Sequence, residues 1–307
     1  MRRKVIQIAN STQLVSLPRK WALDQGIKKG DEVEVAVDGS TVVISTETGT
    51  KMDEIFIDVC GLTPRLADRL VTRAYQKGYD VLNIKYDSPF IIKAIQDKIQ
   101  ELIGFEIMDK SKSDCRIEII SSKLDINFDA SFRRAFLTVI DMAQEASSGY
   151  GTNDESLVET LLMQDTEVNK FCYFCLRYIN KGERHEFGNF ALHYLIESLE
   201  DVGDELKILA KVLIHTKKKI PLISDLLNQI NTMVKNAYDF YYKPDKEKAL
   251  RGSELYSSIE AKVQEGLKTT DSNEIKALIR IWDVAELLYK FPTIQLDMLK
   301  LVEKKSS

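Results

Sequence analysis

Residues Phe187 to Leu213 read FGNFALHYLIESLEDVGDELKILAKVL, and their periodicity sets the architecture of the longest part of the chain. Leu192, Leu195, Leu199, Val202, Leu206, Leu209 and Leu213 recur at alternating steps of three and four. At about 100° per residue this is one apolar stripe along a helix. A stripe of that length requires partner helices. The opposite side carries His193, Glu197, Glu200, Asp201 and Asp204, again at three- or four-residue steps. Like charges so placed repel by roughly 0.2–0.5 kcal/mol per pair. Between Glu197, Glu200 and Asp204 no basic residue intervenes, which predicts either a solvated acidic face or a ridge relieved by a bound cation.

Outward from that stretch the pattern stays helical, from about Asp129 to the end. Phe132, Ala135, Val139, Met142 and Ala146 stripe a helix that Ser147-Ser148-Gly149-Tyr150-Gly151 interrupts, and Asp154 to Ile179 supplies the next. After the basic joint His215-Thr216-Lys217-Lys218-Lys219-Ile220-Pro221, a second set begins. Ile223, Leu226, Ile230, Met233, Ala237 and Phe240 mark its first helix. Ile259 and Val263 lie in its second, and Ile275, Leu278, Trp282, Ala285 and Tyr289 stripe its third. An offset of 79 residues places Leu199 on Leu278, Asp204 on Asp283 and Lys211 on Lys290, an internal repeat of three-helix units. The repeat departs at Glu200 and Asp201, where the second copy has Ile279 and Arg280. Its face is crossed by Lys276, Arg280, Asp283, Glu286 and Lys290, which can pair internally. A cation site kept by one bundle alone would belong to the first.

The run Leu199-Glu200-Asp201-Val202-Gly203-Asp204 resembles the leucine-glutamate-arginine-isoleucine-glycine-aspartate signature of the PhoU family, regulators of phosphate uptake built from paired three-helix bundles. That resemblance implies a metal-associated role for Glu200 and Asp204. Asp165-Thr166-Glu167-Val168-Asn169 is similar to a run in PhoU second helices that adds acids to the cluster. Glu200, Asp204, Glu197 and Asp165 are therefore the candidate metal ligands. Carboxylates suit Mg, Mn or Fe, and His193, one turn before Glu197, shifts the preference toward a transition metal such as Zn. A ferritin-like di-metal oxidase would need Glu-x-x-His pairs, and the chain has none.

The N-terminal stretch alternates as short strands: Val5-Ile6-Gln7-Ile8, Leu14-Val15-Ser16-Leu17, Glu32-Val33-Glu34-Val35-Ala36-Val37 and Thr41-Val42-Val43-Ile44. Asp38-Gly39 is a hairpin turn signal, and Pro18 opens a short helix, Arg19 to Gln25, that Gly26 ends. Leu17-Pro18, the short helix and Lys29-Gly30-Asp31 resemble the swapped-hairpin fold of the AbrB and SpoVT DNA-binding domains. In that family two chains interleave hairpins, so a homodimer is implied. Residues 1–29 hold seven basic side chains against one acid, Asp24. Arg2, Arg3, Lys4, Arg19 and Lys20 are the candidate DNA contacts, suited to phosphates. Ala22 and Leu23 stand where bacterial relatives carry arginines for base reading, so a dimerisation module with a solvated basic rim is an equal alternative.

Between these regions, after the polar linker Thr46-Glu47-Thr48-Gly49-Thr50, the pattern predicts strand (Glu54–Cys60), helix (Pro64–Lys77), strand (Asp80–Tyr86), helix (Pro89–Leu102) and two strands near Gly104–Met108 and Cys115–Ile120. This suggests a small ferredoxin-like α/β sandwich. Cys60-Gly61-Leu62-Thr63-Pro64 and Gly104-Phe105-Glu106 resemble inserts in archaeal PhoU-like regulators, and the segment reads as a spacer or dimer-stabilising domain in preference to a ligand-sensing one. The expected organisation is multidomain: an all-β swapped-hairpin domain (1–46), the α/β domain (51–121), and all-α tandem three-helix bundles (129–214 and 220–303).

Composition sets outer limits. The 307 residues are 44% hydrophobic with a formal net charge of -4, which argues against a chain that coats nucleic acid uniformly. No apolar run approaches the ~18 residues of a spanning helix, so a cytoplasmic protein not embedded in a membrane is expected. Cys60, Cys115, Cys172 and Cys175 are too sparse for a disulfide framework, and Cys172-Tyr173-Phe174-Cys175 sits within a helical pattern, as buried core thiols. There is no Gly-x-Ser-x-Gly elbow and no phosphate loop. The resemblances to PhoU and AbrB imply a non-enzymatic regulator of phosphate uptake with DNA and a phosphate transporter or phosphate-signalling protein as partners. The alternative is a metal-dependent enzyme or metal-storage bundle.

Overall fold

A computed structural model describes residues 3–8, 12–38, 41–45, 52–120, 127–152, 156–181, 189–216, 219–269 and 271–295. Arg2, Gly39 of the predicted turn, the predicted linker 46–50, and Lys217 and Lys218 of the basic joint lie outside the described residues. The chain divides into two compact units, Met1–Met52 and Asp53–Ser307.

In the first unit, β1 (Val5–Ile8) pairs antiparallel with β2 (Thr12–Val15), and β3 (Glu34–Asp38) with β4 (Thr41–Ser45), as two separate two-stranded ribbons. Between them lies α1 (Arg19–Asp24). Gly26, at φ +67°, ends this helix: Ile27 N–H donates to Ala22 C=O and Gly26 N–H to Leu23 C=O. That pairing uses the left-handed conformation glycine adopts without strain. No residue of α1 is buried, and Val5, Ile6, Ile8, Leu14, Val15, Val35 and Val42 are all exposed. Isolated two-stranded ribbons are marginal in water, and so many exposed β-branched and leucine side chains call for a covering surface.

The second unit begins with a four-stranded sheet. β5 (Glu54–Asp58) leads through α2 (Pro64–Gln76) to β6 (Val81–Lys85), then through α3 (Pro89–Ile99) to the hairpin β7 (Phe105–Lys110) and β8 (Asp114–Ile119). Both helices start with proline in the first turn and a hydroxyl cap, Thr63 accepting from Leu66 N–H and Ser88 from Phe90 N–H. The sheet order is β5-β6-β8-β7, with β5 and β6 parallel and the rest antiparallel. The predicted elements are present, but they do not make the expected ferredoxin-like sandwich. That arrangement runs βαββαβ, whereas here the last two strands are consecutive and close as a hairpin, giving βαβαββ. Leu82, Ile84, Cys115 and Ile117 turn inward to a core shared with Ala67, Val71 and Ile95 of the helices. The outward Glu54, Asn83, Arg116 and Glu118 bond to one another instead.

The rest of this unit is helical: α4 (Phe128–Gly149), α5 (Ser156–Asn180), α6 (Asn189–Leu213), α7 (Pro221–Tyr242), α8 (Lys246–Gly266), α9 (Ser272–Tyr289) and the short α10 (Phe291–Ile294). α4, α5 and α6 pack on one another, as do α7, α8 and α9, and the two sets meet through α4 against α7 and α6 against α9. All seven residues of the α6 stripe are buried, in one core that spans both sets. Cys172 and Cys175 are buried in that core.

α5 is bolted to the α/β layer by a buried guanidinium. Arg177 donates to the carbonyls of Tyr75 (3.0 Å) and Tyr79 (2.6 Å) and to Asp80 Oδ1, and Lys181 reaches Asp80 Oδ2 at 2.7 Å. Asn180 adds a bond to Gln76 C=O at 2.8 Å. A buried charge is tolerable only when its donors are used in this way. The consequence is positional, because α2 is held alongside α5 and α6.

Candidate functional site

α2, α5 and α6 border a polar cleft of about 600 Å³. The acidic ridge of α6 forms one wall, and Arg65, Arg69 and Arg73, one turn apart on α2, form the other. The arginines follow from sequence spacing, since residues four apart share a helix face.

The ridge is not unpaired, and the expectation of acids without basic neighbours is corrected here. Lys207, one turn beyond Asp204, sends Nζ to Asp204 Oδ1 and, at 2.7 Å, to Asp165 Oδ2 on α5. Arg73 crosses from α2 to bond Glu197, and His193 Nδ1 stands 3.9 Å from the other Glu197 oxygen. Glu200 is turned inward, where it accepts from the Tyr173 hydroxyl at 3.1 Å. Of the four candidate ligands, Asp165 and Asp204 are brought together around Lys207, Glu200 lies on the same ridge, and Glu197 is drawn toward α2.

Burial dominates the electrostatics. It pushes the Glu200 carboxyl up to about 7, reinforced by Asp204 and Asp201 and opposed by the Tyr173 bond. It also pushes Asp165 up to about 6, against the pull of the Lys207 ammonium. Asp201 is raised by burial and then by Asp204 and Glu197. Lys207 is held above its ordinary value, because its bonds to Asp165 and Asp204 outweigh the cost of its own burial.

The implied metal can be tested against this geometry. Among the described residues no group of three or more His, Cys, Asp or Glu side chains is arranged to hold an ion. The ammonium of Lys207 sits between two of the proposed ligands, and a guanidinium occupies a third. As folded, these residues do not fit a metal, and no chemistry is derived through one.

In the first unit Arg3, Lys4, Arg19 and Lys20 are exposed, and none of them makes an ion pair among the described residues. Lys28 and Lys29 are exposed too, on a turn closed by Lys28 N–H donating to Asp31 Oδ2 at 2.7 Å.

Residues 6–51 match the family model described as antidote-toxin recognition MazE, bacterial antitoxin. The match supports a MazE/AbrB-type swapped-hairpin domain at the N-terminus, and it covers no residue of the second unit. No curated protein matches the chain. Among the described residues no helix is long and apolar enough to cross a membrane.

Sequence reading missed three features of the cleft. The Lys207 pairing was legible, since a lysine three residues after an aspartate shares its face, but its reach to Asp165 was not. Tyr173 and Asn169 lie on α5, and nothing in their spacing indicates that both line the cleft or that Tyr173 bonds Glu200 on the next helix. The opposition of α2 to α6 depends on Arg177 and Asp80, which are 97 residues apart.

Proposed function

We propose that the chain is a homodimeric DNA-binding regulator without catalytic activity, in which the MazE-like segment is the DNA-contacting head and the helical unit receives the signal. The observation that carries this reading is the first unit itself: two ribbons that expose Val5, Ile6, Ile8, Leu14, Val15, Val35 and Val42, in the same unit as exposed Arg3, Lys4, Arg19 and Lys20, which make no ion pair among the described residues. A second copy would cover the apolar residues and double the basic ones. The match over residues 6–51 supports the same assignment.

The finer part of the reading is control of phosphate uptake, with a phosphate transporter or phosphate-signalling protein as partner and a cytoplasmic location. It rests on the resemblance of Leu199 to Asp204, and of Asp165 to Asn169, to PhoU helices. A metal at Glu200, Asp204, Glu197 and Asp165 belongs to that resemblance too, and it would require Lys207 and Arg73 to swing away. The matched model's description, antidote–toxin recognition, favours a second partner class for the head, a toxin protein.

The test is fluorescence anisotropy of the full-length protein on duplex DNA across a salt series. Binding should weaken steeply with salt. Arg19→Ala with Lys20→Ala should weaken it on all sequences and reduce the slope by about one per lost phosphate contact. Unchanged affinity and slope in that variant, or no DNA binding at low salt, would overturn the reading.

A further inference from the structure

We propose that the cleft between α2, α5 and α6 binds a small zwitterion, its ammonium held by Glu200, Asp201 and Asn169 and its acidic group by Arg65 and Arg69. This goes beyond the regulator reading and does not depend on DNA binding. Three observations carry it.

The first is an unanswered polar group in the wall. Asn169 is only 7% exposed and lines the cleft, yet its Oδ1 has no hydrogen-bond partner. Buried amides are nearly always bonded, and an unbonded one at a cavity wall points to a donor from outside the chain. The second is the separation of charge. Among the described residues neither Arg65 nor Arg69 makes an ion pair, although both line the cleft, with Asp68 the one carboxylate between them on α2. Across the cleft, among the described residues, Glu200 and Asp201 make no ion pair either, and the one side-chain bond of Glu200 is from the Tyr173 hydroxyl. Arg73 and Glu197 already pair across the cleft, which leaves Arg65 and Arg69 on one wall and Glu200 and Asp201 on the other as the charges without an ion pair.

The third is the shape and balance of the space. Five basic and five acidic side chains line it, and about 600 Å³ accommodates a small metabolite. A simple cation would meet the guanidinium wall, and a simple anion would meet Glu200 and Asp201. A molecule with an ammonium at one end and a carboxylate or phosphate at the other satisfies both walls and relieves the like-charge repulsion along each helix.

The test uses full-length protein in thermal shift and titration calorimetry. The probes are the twenty amino acids and O-phosphoethanolamine, with ethylamine, acetate and inorganic phosphate as single-charge halves. At least one zwitterion should raise the unfolding temperature and bind about tenfold or more tightly than any half, and the amino-acid and phosphoethanolamine arms separate carboxylate from phosphate recognition. Arg69→Gln and Asp201→Asn, both at exposed positions that leave the fold intact, should each weaken that binding about tenfold, while Lys262→Gln on α8 leaves it unchanged. No response to any zwitterion, equal binding of a half, or parental affinity in both cleft variants would overturn the proposal.

Discussion

α6 and α9 occupy equivalent places in the two helix sets and carry matching apolar stripes, yet their polar faces have opposite fates. On α9, Asp283 pairs with Arg280 at 3.2 Å, Arg280 also reaches Glu205, and Glu286 accepts from Tyr256, all in partly exposed positions. On α6 the acids line the cleft against α2: Glu197 and Asp204 are paired with Arg73 and Lys207, while at Glu200 burial dominates. Similar helices therefore acquire different chemistry from what covers them. In the first set the cover is the α/β layer, held by Arg177 and Asp80.

The sharpest way to break this comparison is to remove the cation from each face. Lys207→Met leaves Asp165, whose side chain is 8% exposed, without a partner, and should cost about 3 kcal/mol in urea unfolding. Arg280→Met removes a more exposed pair and should cost under about 1 kcal/mol. Equal losses would mean that the two faces are alike.

A smaller effect separates the faces by pH. The Glu200 carboxyl is raised from 4.5 to about 7 in the folded chain, so between those values the folded state holds a proton that the unfolded state has released. Its contribution is fully present below about pH 4.5 and is lost as pH rises to about 7. Glu200→Gln should match the parent in acid and exceed it above pH 7 by about 1–3 kcal/mol. Asp283→Asn should show no such divergence, and parallel pH profiles for Glu200→Gln and the parent would remove the distinction.

The smallest effect tests the helix contact itself. Gly203 aligns with Trp282 in the repeat, and a Cβ built at Gly203 would lie 3.4 Å from Val168 Cγ1, an ordinary contact. Gly203→Ala should therefore raise stability by about 0.5–1 kcal/mol through helix propensity. A loss of stability would show that the approach of α5 to α6 needs the bare backbone.

Much of the fold was legible because its signals are local. The α6 stripe, the prolines and hydroxyl caps that start α2 and α3, and Gly26 at the end of α1 each depend on residues within a few positions. The ferredoxin-like expectation failed although the element order was read correctly, because that order, βαβαββ, already departs from βαββαβ; what the sequence left open was the sheet order, which is decided by pairing between distant segments. The candidate site was half legible. The acidic ridge follows from spacing, whereas its pairing with Lys207, Arg73 and Tyr173 combines one neighbour on the helix with two contacts from elsewhere.

By itself the sequence determined which faces are apolar, where the helices start and stop, and that the N-terminal ribbons carry apolar side chains beside a basic cluster. Those properties are periodicities and caps, set by neighbours one to four residues apart. Only the tertiary structure decided that α2 lies over the acids of α6, that Lys207 stands between Asp165 and Asp204, and that Asn169 lines the cleft with its Oδ1 buried and unbonded among the described residues. Burial depends on which distant surface arrives, and in this chain that surface is held by a guanidinium and a carboxylate far apart in sequence.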